Sequence, residues 1–217
     1  MSAFTAKLAQ ICLDEYSRWD NGAGRENQGT NDKPPAKRDY YLFVKEYWVS
    51  IGNMKLDGKT IVKGIRPPWS SAFVSFCVRK AEAGNRFNYA EAHCHYIAPA
   101  MAAADSGSGD YGYIAMRPKQ YKPSVGDIVC SGREYAERYD YDQAKLIYEA
   151  DSFYPSHGDI VVEITGTHAI VIGGNVNHNV DRKRLPLDAS GFLKDREVTR
   201  KGKKVVLPWI TILSCRL

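Results

Sequence analysis

The chain has 217 residues, a formal net charge of +5 and a hydrophobic share of 44%, enough for one domain with insertions and a sizeable core. No stretch is long and apolar enough for a membrane span, and the opening MSAFTAKLAQ lacks the basic start and apolar run of a secretory leader. The basic residues are scattered apart from Arg196, Arg200, Lys201, Lys203 and Lys204, with no recognised binding motif beside them, so nucleic acid is not an expected partner.

Taken in chain order, Phe4 to Trp19 repeats Leu8, Ile11, Cys12, Tyr16 and Trp19 on one helical face. Asn21 to Asp39 is rich in Gly, Asn, Lys and Pro and reads as an exposed loop. Tyr40 to Ile51 returns to helical spacing, burying Phe43 and Tyr47, with Val44 and Trp48 as further candidates. Pro67 and Pro68 precede a helix that begins at Trp69 or Ser70 and runs to about Ala83, with Gly84 as its stop. Phe73, Val74, Phe76, Cys77 and Val78 cover most of its circumference, so this helix is central. Tyr89 to Ala98 reads as a helix carrying His93 and Tyr96 one turn apart and ended by Pro99. Strands are expected at Ile128–Cys130, Ile160–Ile164 and Ala169–Ile172, with a tyrosine-rich insertion at Ser131–Pro155. A turn at Lys201-Gly202 leads into a last strand at Lys204–Leu213. Helices first and a meander of strands afterwards define an α+β class. The five cysteines form no CxxC pair and read as buried free thiols.

The chemistry-bearing residues follow from this layout. A helix N-terminus offers free N–H groups and partial positive charge, which stabilise a developing anion, and Ser70 stands there. A histidine on a strand beside it would accept the hydroxyl proton. Strand alternation puts His157 and Asp159 on one face, so Asp159 is either an orienting partner of His157 or a turn residue. The plain alternative for Ser70 is a helix cap.

PPWSSAFVSFCVRKA (Pro67–Ala81), VGDIVC (Val125–Cys130), HGDIVV (His157–Val162) and IGGNV (Ile172–Val176) together resemble an uncharacterised bacterial family of the NlpC/p60 superfamily, whose members are papain-like cell-wall peptidases. The chain also resembles a hydrolase effector delivered by type VI secretion. The resemblance covers 67–217 and implies a papain-like core, a central helix packed on a small antiparallel sheet. Residues 1–66 would be an N-terminal helical extension of one domain spanning 1–217.

The resemblance puts Ser70 where the superfamily has its nucleophilic cysteine, makes His157 the base and His168 the orienting residue, with Asp159 and Asn175 as alternatives. Trp69, Ser71, His93, Tyr96, Arg133 and Asn175 would then line the substrate cleft, Arg133 against a substrate carboxylate or else in a surface salt bridge. The implied reaction is amide hydrolysis in peptidoglycan stem peptides, without a cofactor. An exported antibacterial effector would act in the periplasm of a target bacterium, passed there by a secretion apparatus, and its producer would hold an immunity (inhibitor) protein. Serine in place of cysteine is the departure, because a hydroxyl does not ionise beside histidine as a thiol does. A catalytically silent module that binds wall fragments or a protein partner therefore stays open. So does a zinc-dependent hydrolase drawing on His93, Cys94, His95, His157, His168 and Asp159, although an HCH run does not share one helix face.

Overall fold

The computed structural model describes residues 1–217 and is α+β. Helix α1 (Ala3–Arg18) starts where the Ser2 hydroxyl accepts from the Thr5 amide at 3.1 Å, and it buries Leu8, Ile11 and Cys12. Helix α2 (Tyr40–Ser50) turns Tyr40, Val44, Tyr47 and Trp48 inward, while Phe43 is only partly covered, under the Arg18 guanidinium. Helix α3 (Ser70–Lys80) is the central one, with only Phe76 and the terminal Arg79 and Lys80 outside the buried set. It stops short of the expected Ala83, because the chain turns left-handed at Glu82 (φ 73°) and again at Gly84 (φ 61°).

Helix α4 (His93–Ser106) corrects the expectation of a helix ended by Pro99, which lies inside it. A helical proline lacks the N–H that would bond the carbonyl four residues back. That carbonyl, His95, instead accepts from Asn88 Nδ2 at 2.8 Å. The expected insertion holds a further helix, α5 (Tyr141–Glu149), opened by a reciprocal cap in which Asp140 and Gln143 bond each other's amides at 3.0 and 2.9 Å.

The main sheet has six antiparallel strands: β1 (Tyr113–Met116), β2 (Ile128–Gly132), β3 (Ser156–Ile164), β4 (His168–Val176), β5 (Asn179–Pro186) and β8 (Thr211–Cys215), in the order β1-β8-β2-β3-β4-β5. A separate hairpin joins β6 (Arg196–Arg200) to β7 (Lys203–Leu207) through Lys201 (φ 48°) and Gly202 (φ 74°), the positive pair a tight hairpin turn requires. The single last strand expected over Lys204–Leu213 is thus two strands, broken at Pro208 and Trp209.

The two Gly-Asp-Ile-Val runs are neighbours, with Ile128 opposite Ile160 and Val129 opposite Asp159. Ile160 and Ile172 face α1, α3 and α4 in the larger core, which the N-terminal helices share. Val129, Val161, Val171 and Trp209 form a smaller apolar cluster on the sheet's other face. That alternation decides where the functional side chains go.

Candidate functional site

Trp69, the residue before α3, was an expected cleft residue but is 1% exposed. Its ring stacks on Trp19 and Tyr47, and its indole N–H donates to Glu26 Oε2 at 2.6 Å. Glu26 belongs to the segment read as an exposed loop, yet it is buried and also takes His178 Nδ1 at 2.9 Å. Ser71 is likewise structural. Its hydroxyl donates to the Ala90 carbonyl at 2.7 Å, while the Ala90 amide donates to Ser75 Oγ at 3.1 Å. This clamp fastens the approach to α4 against α3 and brings His93 over the helix start.

The hydroxyl of Ser70 meets His93 Nε2 at 2.6 Å, and His93 Nδ1 bonds the buried Tyr96 phenol. Ser70 therefore does not cap α3, which has no side-chain cap, and its first-turn amides lack intrahelical acceptors. When the serine donates to Nε2, the imidazole proton sits on Nδ1 and Tyr96 accepts it. Gly158 makes room for this pair: a β-carbon there would lie 2.4 Å from the Tyr96 oxygen and 3.1 Å from His93 Nδ1.

His157, the expected base, is not the hydrogen-bond partner of Ser70. Strand alternation, which correctly unites it with Asp159, places both on the sheet face opposite α3, the face of Val161. The two imidazoles come close only at the strand end, with ring centroids 5.4 Å apart. Asp159 accepts from His157 Nε2 at 2.9 Å and from Lys183 Nζ at 2.5 Å. With its proton on Nε2, His157 keeps a bare Nδ1, and no group of the chain reaches it. Gly173, next to Ile172 in the register, is opposite Asp159 and leaves the space its carboxylate fills.

The surroundings favour the neutral form of both imidazoles. Burial, with the nearby His157 and Arg133, pushes the His93 pKa well below the ordinary histidine value. Burial lowers His157 as well, against the pull of Asp159. Asp159 is itself buried, which would raise it, but His157 and Lys183 outweigh burial and hold it below the usual carboxylate range.

Two clefts flank this group. One of about 240 Å³ is lined by Ser70, His93, Asn175, Tyr154 and Ser156, rimmed by the exposed rings of Tyr135 and Phe153. The other, about 670 Å³, is lined by His157, Asp159 and Lys183. Arg133 lines both. Asn175 lines the smaller cleft and Arg133 both, whereas His168 lines neither. It begins β4, five residues before Gly173 and so roughly 17 Å along the strand, where it bonds Thr167 Oγ1. No three His, Cys, Asp or Glu side chains converge as metal ligands, so the HCH run and its proposed partners form no zinc cage. Cys77 is buried core.

Fold and site together define an α+β protein with a buried Ser–His pair at the start of its central helix, beside a hydrogen-bonded His–Asp–Lys group. The chain belongs to a family described as an uncharacterized protein conserved in bacteria (DUF2272), whose model matches residues 46–215. No curated protein and no solved structure matches it.

Proposed function

We propose that the protein hydrolyses an amide bond of peptidoglycan stem peptides by acyl transfer to Ser70. The observation that carries this reading is the 2.6 Å contact between Ser70 Oγ and His93 Nε2, at an uncapped helix start lining an open cleft. Ser70 Oγ attacks the carbonyl carbon while its proton passes to His93 Nε2. The first-turn amides of α3 face the charge that develops on the carbonyl oxygen. His93 returns the proton to the leaving amine, and water then releases the acid and restores Ser70. A positioned neutral imidazole of this kind contributes roughly 10²–10⁴-fold. His93 takes the role first expected of His157, which stands behind it as a second neutral base fixed by Asp159.

The substrate rests on the resemblance to NlpC/p60 peptidases, and the resemblance to type VI effectors supports export to a target periplasm and an inhibitor protein in the producer. The test is release of new amino termini from purified peptidoglycan. Ser70→Ala and His93→Gln should each abolish it with an unchanged circular dichroism spectrum; full activity in Ser70→Ala would end the proposal.

One observation favours a second reading, a silent binding module. Ser70 and His93 are only 8% and 3% exposed, and a phenol rather than a carboxylate orients the imidazole. Muropeptide affinity without cleavage would select that reading.

A further inference from the structure

The larger cleft carries charge that the protein leaves uncompensated. Its three acids are all engaged: Asp159 with Lys183, Asp195 with Lys119 at 2.8 Å, and Glu197 with Lys204 at 3.1 Å. Three of its cations have no carboxylate partner. Arg133 and Lys194 are exposed and make no ion pair with any side chain. Arg196 is held in place by neutral oxygens, its Nε and Nη2 donating to the Pro208 carbonyl at 3.2 and 3.1 Å and Nη2 also to the Glu137 carbonyl at 3.1 Å. Its guanidinium lies 5.3 Å from the Trp209 ring centre, so the side chain is braced from below as well. An arginine fixed by carbonyls and an aromatic floor is pre-organised, and it keeps its charge for something else.

Position gives the charge a meaning. Arg133 borders the Ser70 cleft as well as this one, so a ligand lying across the seam passes under its guanidinium. His157, 4% exposed with its Nδ1 unpartnered, is in the same wall. We propose that this cleft is the carboxylate-holding half of the substrate groove, taking the acidic portion of a peptide whose adjoining amide lies at Ser70, with Arg133, Lys194 and Arg196 as its anchors. The assignment of halves rests on the reading of Ser70 as the reacting group; the preference for carboxylates does not. Arg133 is among the charges that depress both imidazoles, so a bound carboxylate also relieves that effect and makes the bases stronger.

The experiment uses the full chain carrying Ser70→Ala, so that binding is read without turnover. Calorimetry compares a blocked pentapeptide Ala-Glu-Ala-Glu-Ala with its Ala-Gln-Ala-Gln-Ala counterpart at low salt. The acidic peptide should bind at least tenfold more tightly, and added salt should shrink the difference. Arg133→Gln and Lys194→Gln should each remove about tenfold of affinity for the acidic peptide alone, the scale of one charge-assisted hydrogen bond. Lys37→Gln, in the 21–39 segment, should change nothing. Equal affinity for the two peptides, binding of neither, or a preference that survives the double substitution would overturn the proposal. If instead the preference holds while the unsubstituted chain releases no amino termini from peptidoglycan, the anion-binding cleft stands and the hydrolase reading falls.

Discussion

Substituting Gly173 with alanine tests the construction of the site at its tightest point. The added β-carbon would lie 1.9 Å from Asp159 Oδ1 and 3.3 Å from His157 Nε2, where contacts under 3.0 Å essentially do not occur. The carboxylate must retreat by about 1 Å, but it is buried and held on both oxygens, by His157 and Lys183. Overpacking costs about 1–3 kcal/mol, and weakening a charge-assisted hydrogen bond adds up to about 1.5–3 kcal/mol. A glycine-to-alanine change in a compatible strand gains a few tenths to 1 kcal/mol through the unfolded chain. The net expectation is a loss of about 3 kcal/mol, or roughly 6–12 °C in Tm for a chain of this size. Urea unfolding would measure it in two backgrounds. In Asp159→Ala the obstructing oxygen is gone, so Gly173→Ala should then cost less than about 1 kcal/mol, a coupling only neighbours show. Gly166→Ala, where no atom lies within 4 Å of the new carbon, is the neutral control. Equal penalties in the two backgrounds would refute the packing argument.

The two depressed imidazoles make stability depend on pH in a definite sense. A group whose folded pKa is lowered contributes stability fully above its unfolded pKa of about 6.5 and loses it as pH falls further. Asp127, pushed up to about 6 mainly by burial, works in the opposite direction. The informative quantity is therefore the difference in Tm between the native chain and His93→Gln from about pH 7 to pH 5: the native chain should lose more, and parallel curves would contradict its buried neutral state. Just before the helix carrying His93, Asn88→Ala should cost about 0.5–1.5 kcal/mol by freeing the His95 carbonyl. In a Pro99→Ala background, where the helix supplies its own amide to that carbonyl, chemical denaturation should show most of this cost gone.

The α+β class, the three N-terminal helices and strands β2 to β4 were legible because apolar spacing and Gly-Asp-Ile-Val starts are local signals. Strand β5 was not, since Asn179–Pro186 is half charged and only its pairing with β4 makes a strand of it. Lys183, the partner of Asp159, was missed with it. Alternation along the strand would have supplied that signal had β5 been placed. Helix α5 announced itself by Asp140 and Gln143, a capping pair hidden in a segment read as insertion. The proximity of His157 to Asp159 was readable from a period of two, but which face of the sheet they occupy depends on the helices packed behind it. The pairing of Ser70 with His93 depends on the Ser71–Ala90–Ser75 clamp, a contact between segments that no spacing rule reveals.

Strand β8 comes last in the chain but sits between β1 and β2. About 80 residues separate the end of β2 from its arrival. At roughly 5–20 residues per second, a ribosome needs about 4–16 s to deliver it. Throughout that interval Ile128–Gly132 presents a naked ladder of amides and carbonyls, the kind of edge that recruits foreign strands. Newborn chains of this protein are thus open to mispairing at the strand that leads to Arg133 and the two clefts it borders, and a holding chaperone would find its mark there.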